Sequence, residues 1–271
     1  MDDFSDSYKD EYEACKAKYS SKNVEFYINE CGKSAGGARN TGLKYAKGKW
    51  LLFADADDIF LPDFYSILQK YFVQEYDIVY FVPTSIDLMT GQETVRHRSY
   101  QRYVCNYLDN PSLRNLMLLK YCYESPWSKL IKRSLLTENN IFFDQTMYSN
   151  DVMASVKSAY YAKKILPSRE KIYCITKRGN SLTSSVTQEK YNIRLNAYFR
   201  KHSFLKKHLT KEEYQAMDFK VRLRLGAIVD NKWGIGFLFI TTCRLLLHGV
   251  PIWREYGPLK GFYNKQIEKY L

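Results

Sequence analysis

No pair among the six cysteines has C-x-x-C spacing, so a zinc centre built on local thiolate pairs is not expected. Glycine and proline are scarce, at 13 and 7 residues, and neither recurs with a period. That excludes collagen-like and low-complexity chains. There is no internal repeat and no Gly/Ser-rich linker. The charge-free apolar stretch Trp233–Cys243 is only eleven residues long, about half of the ~20 that a membrane-spanning helix needs. The N-terminus lacks the basic-then-apolar pattern of a secretory signal peptide. The cysteines therefore read as reduced thiols and small buried groups, and the protein as cytoplasmic.

What is present is a chain of 271 residues, 45% hydrophobic and 16% aromatic, enough for a sizeable core in about one or two domains. Its formal net charge of +12 is uneven. Residues 1–80 hold 10 Lys/Arg against 14 Asp/Glu, whereas residues 81–271 hold 31 against 15. A basic half suits nucleic acid, anionic lipid or a phosphorylated substrate. No recognised DNA- or RNA-binding motif accompanies it, so nucleic acid is not expected as a partner. Trp233–Cys243, flanked by Lys232, Arg244, Arg254, Trp233 and Trp253, fits either a helix in a membrane interface or a buried terminal helix.

Strand and helix signals alternate through the first half. Val24–Asn29 is a short β-type run, and Ala35–Ala46 has helical spacing with Gly48 as a stop. Lys49–Ala54 reads as a buried strand, Pro62 opens a helix to about Gln74, and Asp77–Val82 is another buried strand. A hairpin is expected around Met89–Gly91, then a helix near Pro111–Lys120. Ser125–Leu136 is mixed, Asn150–Lys163 helical and Ile165–Thr176 extended. From Gln188 onward the pattern is helical, with a break near Leu209–Thr210. The expected organisation is an α/β domain over residues 1–185, with a mixed, mostly parallel sheet and flanking helices, followed by a helical region over 186–271.

The most informative segment is Trp50–Asp58. A buried strand runs into Asp55, Asp57 and Asp58, and open α/β sheets bind ligands at the carboxyl ends of their strands. Like charges this close repel unless a cation or hydrogen-bond donors offset the cost. Mg²⁺ or Mn²⁺ takes one or two carboxylates together with substrate phosphates, so an Asp-x-Asp here suits a metal–diphosphate complex. A solvated turn with Asp58 capping the next helix accounts for the same residues.

The run Gly37-Ala38-Arg39-Asn40-Thr41-Gly42-Leu43, Ala46–Phe53, Asp55-Ala56-Asp57-Asp58 and Pro62 resembles family 2 glycosyltransferases of the GT-A fold. Three further blocks agree in order. These are Pro126-Trp127-Ser128-Lys129-Leu130 with Arg133–Leu136, Phe143-Asp144 through Asn150-Asp151-Val152, and Tyr173 through Thr183. The resemblance covers roughly residues 1–185. It implies transfer of a sugar from a nucleotide-sugar donor, with UDP the expected carrier, to a saccharide or lipid-linked acceptor hydroxyl with inversion. Bacterial surface-polysaccharide assembly, in the cytoplasm or at the inner membrane face, is the implied setting. Asp55 and Asp57 would hold the divalent ion, with Asp58 as an alternative ligand. Asp151 would be the general base, preceded by Asn150 where the family normally has Glu. Arg39 would lie near the nucleotide and Trp127 would stack on a sugar face, or lie in the core. Lys177 and Arg178 would clamp a diphosphate or acceptor phosphate, or lie in a solvated loop.

These enzymes usually begin with an apolar strand, a helix and a second strand ending in a "DDgStD"-like turn. Met1–Ser7 resembles only that final fragment, in which Asp3 would contact the nucleotide base. The expectation is therefore an N-terminally shortened chain. The alternative to an active transferase is a catalytically inactive remnant that binds nucleotide or a partner.

Overall fold

The computed structural model describes residues 9–19, 23–32, 34–177, 187–217, 219 and 221–252. The first part runs α1 (Lys9–Tyr19), α2 (Ala35–Tyr45), β1 (Trp50–Leu52), β2 (Ile59–Phe60), α3 (Phe64–Phe72), β3 (Ile78–Phe81) and β4 (Thr84–Asp87). It continues through α4 (Arg98–Asp109), α5 (Leu113–Cys122), β5 (Lys129–Lys132), α6 (Arg133–Glu138), α7 (Val152–Tyr161), β6 (Ile165–Ser168) and β7 (Tyr173–Lys177). The helices α8 (Gln188–His208), α9 (Lys211–Ala216), α10 (Val221–Asp230) and α11 (Ile235–Leu247) follow.

A four-stranded sheet has the order β1-β5-β3-β6, and a three-stranded sheet the order β2-β7-β4. β3 reads Ile-Val-Tyr-Phe and is buried at every position, as a strand covered on both faces must be. The mixed α/β class holds, but the pairing is less parallel than expected. β3–β6 and β4–β7 are parallel, whereas β1–β5, β3–β5 and β2–β7 are antiparallel. In the four-stranded sheet the cause is β5, which inserts between β1 and β3 and runs against both.

The expected strand Val24–Asn29 is an irregular segment and joins no ladder among the described residues. Val24 and Ile28 are exposed, and the segment is fastened to α2 through side chains. Tyr27 stacks on Tyr45 at 4.0 Å, and Lys44 and Lys47 pair with Glu30 and Glu25. A β-type run without a neighbouring edge cannot form a strand. In the other direction, α4 was not expected, although Tyr100, Tyr103, Val104 and Tyr107 repeat at helical spacing and all pack on the main core.

Two apolar clusters hold the molecule. One is built on β3, β5, β7 and the faces of α3 and α4; the other joins α5 and α7 to α8, α10 and α11. The helical region therefore shares a core with two helices of the first part. The expected junction near residue 185 lies outside the described residues. The break between α8 and α9 is a full capping box: Thr210 Oγ1 accepts from the Glu213 amide at 3.2 Å, and Glu213 accepts from the Thr210 amide at 2.9 Å. No helix among the described residues is long and apolar enough to cross a membrane.

Candidate active site

The three aspartates occupy the connection from β1 to β2. A turn closed by the Asp58 amide on the Asp55 carbonyl at 3.1 Å reverses the chain, and β2 then pairs with β7. β7 organises this turn. The Tyr173 hydroxyl donates to Asp58 Oδ2 at 2.7 Å and accepts from the Asp55 amide at 2.9 Å. The Thr176 amide donates to Asp58 Oδ1 at 2.7 Å, and the Thr176 hydroxyl donates to the Asp57 carbonyl. Both oxygens of Asp58 are therefore committed to β7. Burial pushes its carboxyl up to about 6, against the pull of the Thr176 and Tyr173 donors. Asp58 anchors the turn, each of its oxygens accepting one hydrogen bond from β7 and keeping a second acceptor site.

Arg39 enters from α2. The Ser34 hydroxyl caps that helix by accepting from the Gly37 amide at 3.2 Å. The helix starts hard against the 144–150 loop, because a Cβ on Gly36 would lie 1.9 Å from the Asp144 carbonyl oxygen. Asn40 then exchanges two hydrogen bonds with the Phe143 backbone, at 2.9 and 2.8 Å. So placed, the Arg39 guanidinium bonds Asp55 Oδ1 at 2.5 Å and Asn150 Oδ1 at 2.7 Å, and lies over the Phe143 ring. One side chain thus links the carboxylate turn to the loop that carries Asp151. With Asn at 150, Arg39 meets a neutral acceptor there and keeps its charge for Asp55.

Asp151 precedes α7 and is partly buried. Burial pushes its carboxyl up to about 6; Arg39 opposes this, while Glu124 and Asp55 add to it. A carboxylate tuned this way is a competent proton acceptor near neutral pH.

A second layer of charge, not anticipated from the sequence, lies behind Asp151. Lys129 is buried, donates to the Tyr123 carbonyl at 2.6 Å and sits over the rings of Tyr80 and Tyr123. Burial pushes its ammonium down to about 7, although Asp151 and Glu124 favour the charge. Lys201 of α8, also buried, donates to Glu124 Oε1 at 2.6 Å and to the Tyr121 carbonyl at 2.5 Å. The preceding residue, Arg200, holds both oxygens of Asp144 at 2.9 and 2.7 Å. The only sequence signal for this layer was Lys129 within the Trp127–Leu130 block.

Trp127 is 7% exposed and packs between Tyr100 at 4.7 Å and Tyr173 at 5.6 Å. It is a core residue beneath the turn, the second of its two expected placements, and offers no open ring face to a sugar, which corrects the first; its apolar area is buried with β7. Lys177, at the end of β7, pairs with Asp87 Oδ2 at 3.2 Å and is not drawn into the carboxylate turn. Asp3 and Arg178 lie outside the described residues.

Among the described residues, no group of three or more His, Cys, Asp or Glu side chains is arranged to hold a metal ion. Beside the anchored Asp58, the turn carries the exposed Asp57 and the partly exposed Asp55, whose Oδ1 bonds Arg39. Two carboxylates fit a magnesium-type ion completed by substrate phosphates and water, not a cage made by the protein alone.

The mixed α/β arrangement, with its carboxylate turn at a strand end, matches the GT-A type of fold. The chain belongs to Glycosyl transferase family 2, whose profile matches residues 1–139. Over 46 residues it is 44% identical to the Escherichia coli protein WfgD, a UDP-Glc:alpha-D-GlcNAc-diphosphoundecaprenol beta-1,3-glucosyltransferase, covering 17% of this chain and 18% of that one. Over 217 residues it is 21% identical to the putative glycosyltransferase EpsH of Bacillus subtilis (strain 168), covering 76% of this chain. The fold is similar to that of S. aureus TarS 1–349, with a TM-score of 0.52 at 17% identity over 79% of this chain. The chain spans 60% of the length of EpsH and 63% of the TarS fragment.

Proposed function

We propose that this protein transfers a sugar from a nucleotide-sugar donor, a UDP-sugar, to a hydroxyl of a saccharide or lipid-linked acceptor, with inversion. The setting is assembly of a bacterial surface polysaccharide on the cytoplasmic side. The observation that carries this reading is the Arg39 link, which joins the Asp55 turn to the Asp151 loop through bonds of 2.5 and 2.7 Å. Donor diphosphate and acceptor hydroxyl then meet between a cation-facing turn and a proton acceptor. The names of WfgD and EpsH support the reaction class, and that of WfgD supports a uridine donor and a diphospho-lipid acceptor.

In this reaction the acceptor oxygen forms its bond to the anomeric carbon as the bond from that carbon to the donor diphosphate breaks. The hydroxyl proton passes to the Asp151 carboxylate, whose raised proton affinity suits it to neutral pH. A positioned base contributes about 10²–10⁴-fold in rate. Arg39 orients Asp55 and keeps the turn and the base loop in register. Asp55 and Asp57 would hold a divalent ion, which when bound would supply charge neutralisation for the leaving diphosphate.

The test is thermal unfolding with UDP, GDP, CMP or dTDP, each with and without Mn²⁺. UDP at a hundred times its Kd adds about 2.7 kcal/mol, so the midpoint rises by roughly 5–10 °C, and only with Mn²⁺. Asp57→Asn abolishes that rise, whereas Asp151→Asn keeps it and loses transfer. No rise with any nucleotide favours the inactive, partner-binding reading instead.

A further inference from the structure

Helix α11 is apolar on both of its faces. Its inner side packs on α8: Thr241 and Leu245 are buried, and Phe237 lies against the rings of Tyr191 and Trp233. Its one charged residue, Arg244, is turned inward, bonding Asn192 at 2.9 Å and Asn196 at 2.7 Å, both on α8. Its outer side consists of Ile235, Phe239, Ile240, Leu246 and Leu247, between 51% and 86% exposed. These positions recur at i, i+4, i+5, i+11 and i+12, a single stripe along a helix of 13 residues, roughly 20 Å long. An exposed stripe of this kind marks an interaction site more often than an idle surface.

Basic groups stand at both ends. Exposed Lys232 precedes the helix, with Asp230 two places earlier. At the other end the Lys206 ammonium lies against Gly249, where a Cβ would come within 2.7 Å of it. Residues 186–271 as a whole carry 16 Lys/Arg against 7 Asp/Glu. A second copy docked antiparallel on the same stripe would bring the basic end of one helix onto the basic end of the other. An anionic surface with an apolar interior meets no such conflict.

We propose that the outer stripe of α11 lies in the interface of an anionic lipid bilayer, its apolar side chains among the acyl chains and the flanking lysines at the headgroups. This deepens the reading above, since it brings the molecule to where a lipid-linked acceptor resides. Vesicle binding requires neither donor nor turnover, so the two readings fail separately.

The experiment is co-sedimentation of the full chain with phosphatidylglycerol–phosphatidylcholine vesicles and with pure phosphatidylcholine vesicles. The chain should sediment with the anionic vesicles, less with the neutral ones, and less as salt is raised. Phe239→Glu with Leu246→Glu should weaken partitioning at least about tenfold, with unchanged helical circular dichroism and unfolding midpoint. Leu247→Glu alone, at a position 86% exposed, provides a second and gentler variant with the same direction of effect. Absence of sedimentation with anionic vesicles overturns the proposal. So does sedimentation that survives these variants. A concentration-dependent dimer that the variants dissolve, without vesicle binding, assigns the stripe to a second copy and likewise overturns it.

Discussion

Replacing Tyr173 by phenylalanine removes one oxygen from the base of the aspartate turn and leaves the ring in place. The ring keeps its stacking on Trp127 and its edge contact with Phe60. Two hydrogen bonds are lost, one to a carboxylate and one from a backbone amide. A hydrogen bond to a charged group contributes about 1.5–3 kcal/mol and a neutral one about 1 kcal/mol, so the expected cost is roughly 2–4 kcal/mol. For a chain of this size that is a fall in unfolding midpoint of about 5–12 °C. The pH dependence of the cost distinguishes this account from general loosening. Tyr173 stabilises the ionised form of Asp58, holding down a carboxyl that burial raises to about 6. The bond is therefore worth most above pH 6, where Asp58 is charged, and least below it, where Asp58 is protonated. Thermal unfolding of wild type and variant at pH 5 and pH 8 measures the difference. A midpoint within about 1 °C of wild type at pH 8, or an equal cost at both pH values, refutes the anchoring role.

Three other outcomes follow from the geometry. Lys201→Met removes the buried ammonium that pairs with Glu124 and should cost about 3 kcal/mol, the low end for a broken buried pair because Glu124 is 35% exposed; urea unfolding should show Lys201→Met with Glu124→Gln to be less damaging than the sum of the two. Transfer must lose rate as pH falls through about 6, because Asp151 accepts a proton only when ionised and its carboxyl is raised to that value; a pH–rate profile whose acid limb lies near pH 4 would falsify Asp151 as the base. Gly36→Ala should destabilise by about 3 kcal/mol or more through overlap with the Asp144 carbonyl, whereas Gly42→Ala, with open space at its Cβ, should stabilise by about 0.5–1 kcal/mol; chemical denaturation of the pair checks both signs.

The parts of the fold legible in the sequence are those with local causes. The helical spacing over Ala35–Ala46 predicts α2, the apolar run into Asp55 predicts β1 and its turn, and the break expected near Leu209–Thr210 falls at the capping box after α8. α4 was equally legible, since its four aromatic and apolar positions repeat at helical intervals. The missed features are made by residues far apart. Asp58 is anchored by a backbone amide 118 positions away, and Lys201 reaches Glu124 across 77. Nothing local announces that a lysine on a long, mostly polar helix is buried, or that a tyrosine in β7 aims its hydroxyl at a turn before α3. Trp127 illustrates the opposite failure: a residue type suited to sugar stacking is equally suited to fill a core, and only its neighbours decide.

Adjacent residues of α8 grip two different segments of the first part, Arg200 on Asp144 and Lys201 on Glu124. Asp144 begins the loop that ends in Asp151. The helices after residue 187 are consequently not an interchangeable cassette. A chimera that imports this region from a relative must import matching residues at positions 124 and 144 as well, or it will unfasten the Asp151 loop from behind while leaving every residue of that loop unaltered. The unit that can be exchanged between relatives is the helical region together with its two acidic receptors.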